Sequence, residues 1–599
     1  MRTFLYIFIS LIPFLLQAQG VKNNGGKVVL GATSYLTVNG TSGHFVNATS
    51  GVDGTVDNSG TITLQGNWTN SSSNAVFVTT TLGTVVFAGT AAQTVSGNTT
   101  FNHLTVNNAA GLTLNATTNA VGILTLTSGV FATNTNLNVD LNTGAIAGTG
   151  AGSTTGSIRF YKTAWGNHYH YISSPISGRT ANDWNDNVAI GSGVNSKLYT
   201  YDETAVDSNK LVGWTPVVGT GTSLIDMKGY ALYFKLYNTL LDVTGAYTHS
   251  ATFTSPTLTN TPSTTPVFKP ASDGWNLMGN PYPAVLDWDA ASGWTKTGLD
   301  NAIYFWDPAN NRYASYVLGA GTNGGTRYIP SMQAFWVKVT TSGGTGSLAM
   351  NNNVRTTSAN PGLFRVASNS DILKLTASNG TNSDETIVRF MEKTTEDFDS
   401  QVDAYKMMNE GSTPSVYTVS TVDNYSINSL PSSLISKKIP VQLTAPAAGN
   451  YMFNVDLTGF SNGEELFFDD LELGVHQDLR QNAQYSCQVA SGKTEGRFFI
   501  SYQKAKVVLS NDNPNDQTST GIDIGAYQQQ VSILFHGLQA THADVVVYDA
   551  VGKLICKMND VLIAGDKLDF SLPEVQTGIY IVKVVSDAGN KVKQVYLSK

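Results

Sequence analysis

Along most of this chain, apolar and polar residues alternate at a period of two, in short runs punctuated by Gly, Asn, Asp and Pro. That pattern predicts half-buried β-strands throughout and few helices. Between residues 19 and 156 the runs shrink to triplets: Ile62-Thr-Leu64, Val76-Phe-Val78, Val85-Val-Phe87, Leu104-Thr-Val106, Leu112-Thr-Leu114, Leu124-Thr-Leu126 and Leu137-Asn-Val139. Their spacing is too irregular for a strict repeat but suits the coils of a β-solenoid. In such a coil the flanking apolar residues point inward and the middle Thr or Asn points out. Gly and Asn would form the corners, where positive φ is needed. A meandering antiparallel sandwich is the alternative arrangement of the same triplets. No Asp, Glu, Lys or Arg lies between Asp57 and Asp140, so this segment has no charged groups for catalysis. A spacer or stack is the expected role.

Residues 157–356 hold eight of the nine tryptophans and an internal duplication. Tyr169-His-Tyr-Ile-Ser-Ser-Pro175, Asp183-Trp184, Leu198-Tyr-Thr-Tyr-Asp202 and Met227-Lys-Gly-Tyr-Ala-Leu232 form the first copy. Trp275-Asn-Leu-Met-Gly-Asn-Pro281, Asp287-Trp288, Ile303-Tyr-Phe-Trp-Asp307 and Met332-Gln-Ala-Phe-Trp-Val337 answer them in the same order. Pro175 matches Pro281, Trp184 matches Trp288, Asp202 matches Asp307 and Met227 matches Met332, which predicts two related β-units, about 157–260 and 261–356. Aromatic residues shared by both copies are expected in the core. Those without an obvious counterpart, Trp165, Trp214 and Trp294, are the candidates for stacking on a glycan.

Residues 361–508 predict a further β-sandwich, with strands such as Glu385-Thr-Ile-Val-Arg-Phe390 and Arg497-Phe-Phe-Ile-Ser-Tyr502. Residues 509–520, with Asn511-Asp-Asn-Pro-Asn-Asp-Gln-Thr-Ser-Thr520, lack apolar residues for a core and read as a linker. Residues 521–599 return to alternation in Val531-Ser-Ile-Leu-Phe535, Ala543–Tyr548 and Gly578-Ile-Tyr-Ile-Val-Lys-Val-Val585, a small immunoglobulin-like sandwich. The expected fold is therefore all-β and multi-domain: solenoid-like repeats, duplicated Trp-rich units, a β-sandwich and a C-terminal sandwich.

Charge and candidate chemistry narrow the function. The 599 residues carry a net charge of -8, which gives no footprint for nucleic acid. Residues 1–18 combine Arg2, an apolar run of about thirteen residues and Ala18, a secretory leader too short for a membrane span. Cys487 and Cys556 fall in different modules and are expected as free thiols. His168 and His170 would share one face of a strand, but no further ligand motif accompanies them. Acidic runs at Asp384-Glu385, Glu392, Glu396-Asp397, Asp399 and Asp403, and at Glu464-Glu465, Asp469-Asp470 and Glu472, could hold Ca²⁺. Asp183-Trp-Asn-Asp186 and Asp287-Trp-Asp289 are thinner versions of that signal. Solvated faces are the plainer reading of all of them, and no cofactor is otherwise implied. No Gly-x-Ser-x-Gly elbow, phosphate-binding loop or nominated carboxylate pair is present.

Tyr548, Asp549, Gly552 and Lys553, followed by Gly578, Tyr580 and Lys583, resemble the C-terminal (type A) sorting domain of Bacteroidetes type IX secretion cargo. Gly274–Pro283 and Ile329–Lys338 are similar to segments of large surface proteins that carry that module. Phe398–Lys406 and Leu466–Leu471 are similar to the domain that often precedes it. The resemblance implies export by the type IX machinery to the outer surface, with the module usually removed. The function expected on this reading is that of a secreted or cell-surface, non-catalytic, adhesin-like or structural protein. A carbohydrate-binding protein that uses the Trp-rich region for extracellular glycans is the alternative. A secreted polysaccharide-active enzyme is the minor one.

Overall fold

The computed structural model describes residues 15–18, 20–49, 52–72, 76–77, 82–164, 166–191, 196–205, 213–236, 238–262, 273–357, 372–420, 423–457, 460, 464–504, 521–536, 542–563, 567–572, 575–586 and 589–598. Strands take 57% of the described residues and helix 2%, so the protein is all-β. Contacts divide it into two compact units, one ending at Gln503 and one beginning at Lys504. Most of the expected leader and the expected 509–520 linker lie outside the described residues. Of the leader, the backbone of Leu15–Ala18 is described, running parallel to Tyr35–Val38.

The first unit begins as a three-faced β-solenoid with parallel pairing between coils, which excludes the antiparallel meander. On one face, two apolar ladders stack in register. The first runs Leu36, Ile62, Val85, Leu104, Leu124, Ile146, and the second Val38, Leu64, Phe87, Val106, Leu126. The triplets looked irregular because they lie on different faces of the same coils. Ile62–Leu64, Val85–Phe87, Leu104–Val106 and Leu124–Leu126 share this face, Leu112–Leu114 lies on the second and Leu137–Val139 on the third. Each coil takes roughly 20 residues. Inside the second face, Phe45 stacks on Trp68 with ring centroids 4.5 Å apart. Corners are tight: a Cβ on Gly97, at φ +81°, would fall 1.7 Å from the Asn70 carbonyl oxygen. Only glycine fits there.

Polar groups inside the coils are paired with one another. Asn23 donates to Asn47 at 3.0 Å, and Asn47 donates to Asn70 at 3.1 Å and to the Gly54 carbonyl at 2.9 Å. This buried amide ladder closes the turn between faces by satisfying both side-chain and backbone groups.

Ser157–Ala164 ends the solenoid: it pairs in parallel with Leu137–Asp140 and antiparallel with Thr239–Ala246. The solenoid core thereby continues into the first Trp-rich copy through Trp184, Tyr230 and Leu232, and touches the second at Met332. The duplication is visible in topology. In the first copy the sheet order is His168–Ile172, Tyr230–Phe234, Leu198–Tyr201, Trp214–Pro216. In the second it is Trp275–Gly279, Ala334–Lys338, Ile303–Asp307, Arg312–Val317, with Ala320–Thr322 added at the edge.

Equivalent residues link the copies reciprocally. Gly279 N–H donates to the Met227 carbonyl at 2.7 Å, and Ser173 N–H to the Met332 carbonyl at 3.2 Å. Met227 and Met332 both sit in the left-handed region, at φ 60° and 59°. A non-glycine residue rarely adopts that conformation, so its repetition marks one inherited corner used twice. Trp184 packs edge-on to Tyr230 and Trp288 edge-on to Phe335, again equivalent pairs.

Smaller sheets, among them Val285–Asp287 with Tyr328–Ile329 and Arg355–Thr356, complete the second copy. From Ile372 onward the unit is one 12-stranded sheet that curls over a core including Leu375, Phe453, Phe468 and Phe498. The second unit is a sandwich of a three-stranded sheet and a four-stranded sheet around Ile524, Val545 and Val582.

These packing arguments predict that Asn47→Leu lowers stability by about 3 kcal/mol in urea unfolding. It strands the Asn23 amide, the Asn70 amide oxygen and the Gly54 carbonyl. Thr63→Ala, on the outward face, should stay within about 0.5 kcal/mol of the parent.

Candidate interaction surfaces

The outward positions of the solenoid form ranks. Thr37, Thr63, Val86, Thr105 and Thr125 lie side by side on successive rungs. On the third face, Asn119 donates to Thr100 at 3.0 Å and Asn138 to Asn119 at 2.9 Å. Rungs about 4.8 Å apart thus present a flat, uncharged array of hydroxyl and amide groups. The charge returns only at the solenoid's ends, where Lys27 meets Asp57 at 3.1 Å and Arg159 meets Asp242 at 2.7 Å.

The tryptophans are placed by packing. Trp184 and Trp288 are fully buried at equivalent sites. Trp294 lies edge-on to Trp288 at 5.0 Å, and its indole N–H donates to the Asp287 carbonyl at 2.7 Å. The Lys296 ammonium sits 3.6 Å from the centre of the Trp288 ring, and burial pushes its pKa down to about 8. Trp214 is half-buried between Tyr201 and Trp336 at 5.2 and 5.8 Å. These two candidates therefore belong to packed clusters and do not share a flat row. Trp165 lies outside the described residues.

Solvent reaches one aromatic face of the first copy, on which the shared aromatics Tyr169, Tyr199 and Tyr201, expected in the core, stand beside the candidate Trp214. Tyr169, Tyr199, Tyr201, Tyr233 and Trp214 lie on one side of the first copy's sheet, because alternate residues of paired strands share a face. Tyr169 is 41% exposed, Tyr199 and Tyr233 are half-buried, and the rings of Tyr169 and Tyr233 lie 5.1 Å apart.

The acidic runs are bound by cationic side chains and backbone amides. Asp470 accepts from Arg497 at 3.0 and 2.8 Å and from the Tyr485 hydroxyl at 2.8 Å, and the Arg497 guanidinium also reaches Glu472 at 2.8 Å. Those partners hold the Asp470 carboxyl below its ordinary pKa despite the opposing effect of burial. Asp384 meets Lys406 and the Val416 N–H, the first in a fully buried ion pair at 2.5 Å. Asp287 is clamped by Arg327 at 2.5 and 2.7 Å, and Asp183 meets Arg179 at 3.3 Å. Among the described residues, no three His, Cys, Asp or Glu converge as a metal would require. His168 and His170 do share a face, with His170 edge-on to Phe234 at 5.2 Å. Both cysteines are free, and burial pushes the Cys487 thiol up to about 11.

A polar groove of about 560 Å³ crosses the curled sheet between Ser436, Lys438, Glu465, Phe467, His476 and Gln503. Beside it, Asp469 accepts from Ser501 Oγ and faces His476 Nδ1, both at 2.5 Å, while His476 stacks on Phe467 at 4.0 Å. The carboxylate sits between hydroxyl and imidazole, so Ser501 bonds to the acid and not to the imidazole, which is not the nucleophile–imidazole–acid order of a triad.

Tyr548, Asp549, Gly552, Lys553, Gly578, Tyr580 and Lys583 come together in the second unit. Tyr548 and Asp549 end a strand, and Asp549 Oδ1 accepts from Val551 N–H at 3.0 Å and Lys553 N–H at 2.9 Å across the Gly552 turn at φ +86°. Gly578 opens the neighbouring strand, Tyr580 pairs with Asp549, and exposed Lys583 pairs with Val546. The Tyr580 hydroxyl donates to the Gln576 carbonyl at 2.8 Å.

Where the second copy meets the curled sheet, Asp300 is buried near Lys338, and burial raises its pKa from 3.8 to about 6 against the pull of Thr340 and Lys338. A carboxyl that binds its proton more tightly when folded opposes folding once ionised. That penalty is full above pH 6 and vanishes as pH falls through 3.8. Asp300→Asn should therefore stabilise the protein by about 1–3 kcal/mol near pH 7.5, with no gain near pH 3.5, as read by thermal unfolding across pH.

No curated protein matches the chain. Among solved structures, the crystal structure of chicken CNTN1 FN1-FN3 domains is similar over 39% of this chain and 98% of that chain, at 9% identity and TM-score 0.11. A score that low carries no argument about fold or function. A family model described as a domain of unknown function (DUF8693) matches residues 58–502, which run from the early solenoid coils to the last strand of the curled sheet. The chain belongs to this DUF8693 family.

Proposed function

We propose that this is a secreted or cell-surface, non-catalytic, adhesin-like structural protein, exported through the type IX pathway by its C-terminal unit. The observation that carries the adhesive reading is the solenoid's uncharged outward surface. Each hydroxyl or amide offers a weak contact, and many in register, on many copies at one surface, give avidity without a deep pocket. Mutual hydrogen bonding within the Asn119–Asn138 ladder holds the array rigid, so contact costs little side-chain entropy. The export reading is supported by the residue pattern around Tyr548 and Gly578 and by the compactness of the unit from Lys504 onward. A module that folds by itself can serve as an address without disturbing what it carries.

Two outcomes follow. Deleting residues 521–599 should strand the protein in the periplasm of its native host, as read by fractionation and by protease access at the surface. Export of the truncated chain would remove the sorting reading. Independently, Thr63→Lys with Thr125→Lys should cut adhesion of cells displaying the chain several-fold while leaving thermal unfolding unchanged. Undiminished adhesion would remove the solenoid from the contact.

A further inference from the structure

The two copies of the duplicated unit treat one face differently. In the second copy, Trp275, Tyr304, Trp336 and Lys338 are 8%, 0%, 3% and 2% exposed, buried by the curled sheet and, at Trp336, by Tyr171, Tyr201 and Trp214 of the first copy. Ile387, Ala404, Tyr405 and Ile427 complete that interface. The Tyr405 N–H donates to the Tyr304 hydroxyl at 2.9 Å, and the Lys338 ammonium lies 5.2 Å from the Tyr405 ring centre. The equivalent positions in the first copy are Tyr169, Tyr199, Ala231 and Tyr233, as the shared sheet order and register require. There, Tyr169 remains 41% exposed, with Tyr199 and Tyr233 half-buried beside it.

The substitutions between copies have a direction. A dry protein interface takes Trp275, Trp336 and a buried Lys338. The first copy has Tyr169 and Tyr233 in place of Trp275 and Lys338, giving up apolar area and charge for phenolic hydroxyls, while a buried Ala231 stands in place of Trp336. Rings of Tyr169, Tyr199 and Tyr233 touch at 5.1 and 6.0 Å, and the Tyr233 hydroxyl donates to Asn167 at 3.0 Å. The face continues through half-buried Tyr201 and Trp214 into the interface already covered in the second copy. At the outer end the groups acting on Tyr169 are Tyr199 and Tyr233, whereas the carboxylates of Glu203 and Asp273 act on Tyr201 at the inner end. Apolar rings with polar rims, as at the outer end, match a ligand whose surfaces alternate C–H patches with hydroxyls.

We propose that this tyrosine face binds a neutral polysaccharide chain, with Tyr169 and Tyr233 as the outer contacts and Trp214 bordering the inner end. The site is separate from the solenoid contact and stands whether or not that contact exists.

The test is affinity electrophoresis of the full chain through gels containing laminarin, mannan, xyloglucan or dextran. At least one polymer should retard the parent. Tyr169→Ala should weaken that retardation by about tenfold, the value of one lost aromatic contact, and Tyr169→Phe by less. Thermal unfolding of each variant checks that the fold is kept, and Tyr233→Ala supplies a second reading if Tyr169→Ala unfolds. No retardation by any of the four polymers would overturn the proposal. So would retardation that Tyr169→Ala and Tyr233→Ala both leave unchanged, since the solenoid would then be the binding element. Concentration-dependent dimerisation in sedimentation velocity, lost in Tyr169→Ala and without retardation in any gel, would assign the face to a second copy of this chain instead.

Discussion

A rung of a β-solenoid is satisfied only if another rung lies on each side of it, because its backbone N–H and C=O groups point along the stack. The rest of the first unit depends on how this requirement is met where the coils stop. Ser157–Ala164 is the last rung, and Thr239–Ala246 closes it by antiparallel pairing. An unpaired edge there would invite pairing with another chain. By taking a strand from the first Trp-rich copy, the solenoid merges its core with that copy, from Leu30 through Trp184 to Tyr247. The second copy is then tied to the first by the reciprocal Met227 and Met332 bonds, and the curled sheet is laid against the second. A parallel stack thereby passes into antiparallel sheets without a break in the core.

Much of this was legible from the chain. Alternation at period two was enough for an all-β fold, and apolar–Thr–apolar triplets pointed to solenoid coils but left an antiparallel sandwich open until the parallel pairing was seen. The coil length was not, because triplets from three faces interleave in sequence: Leu104–Val106 and Leu112–Leu114 are neighbours in the chain but occupy different faces. The duplication was legible through Pro175, Trp184, Asp202 and Met227 with their partners, since each serves a corner or core site that both copies need.

The candidate surfaces were less legible, for a physical reason. Sequence equivalence reports what two positions share, whereas exposure depends on what packs against each copy afterwards. Tyr169 and Trp275 are equivalent, yet the curled sheet covers one and leaves the other wet. Trp294 had no counterpart and looked free, but its indole N–H closes a bond to Asp287 and its ring leans on Trp288. The acidic runs looked like a cation site because sequence places carboxylates side by side. Arg497, Lys406 and Arg327, which neutralise them, are distant in the chain.

The solenoid ranks and the outer tyrosines Tyr169, Tyr199 and Tyr233 carry no charge, so contact through them is made by hydrogen bonding and apolar stacking, with little contribution from ion pairing. The most direct measurement is adsorption of the full chain to a neutral polysaccharide film, followed on a quartz microbalance while salt is raised from about 0.05 to 1 M, where the screening length falls to about 3 Å. The account predicts adsorption that holds nearly constant across that range. Adsorption that collapses as salt rises would place the contact on charged groups and contradict it.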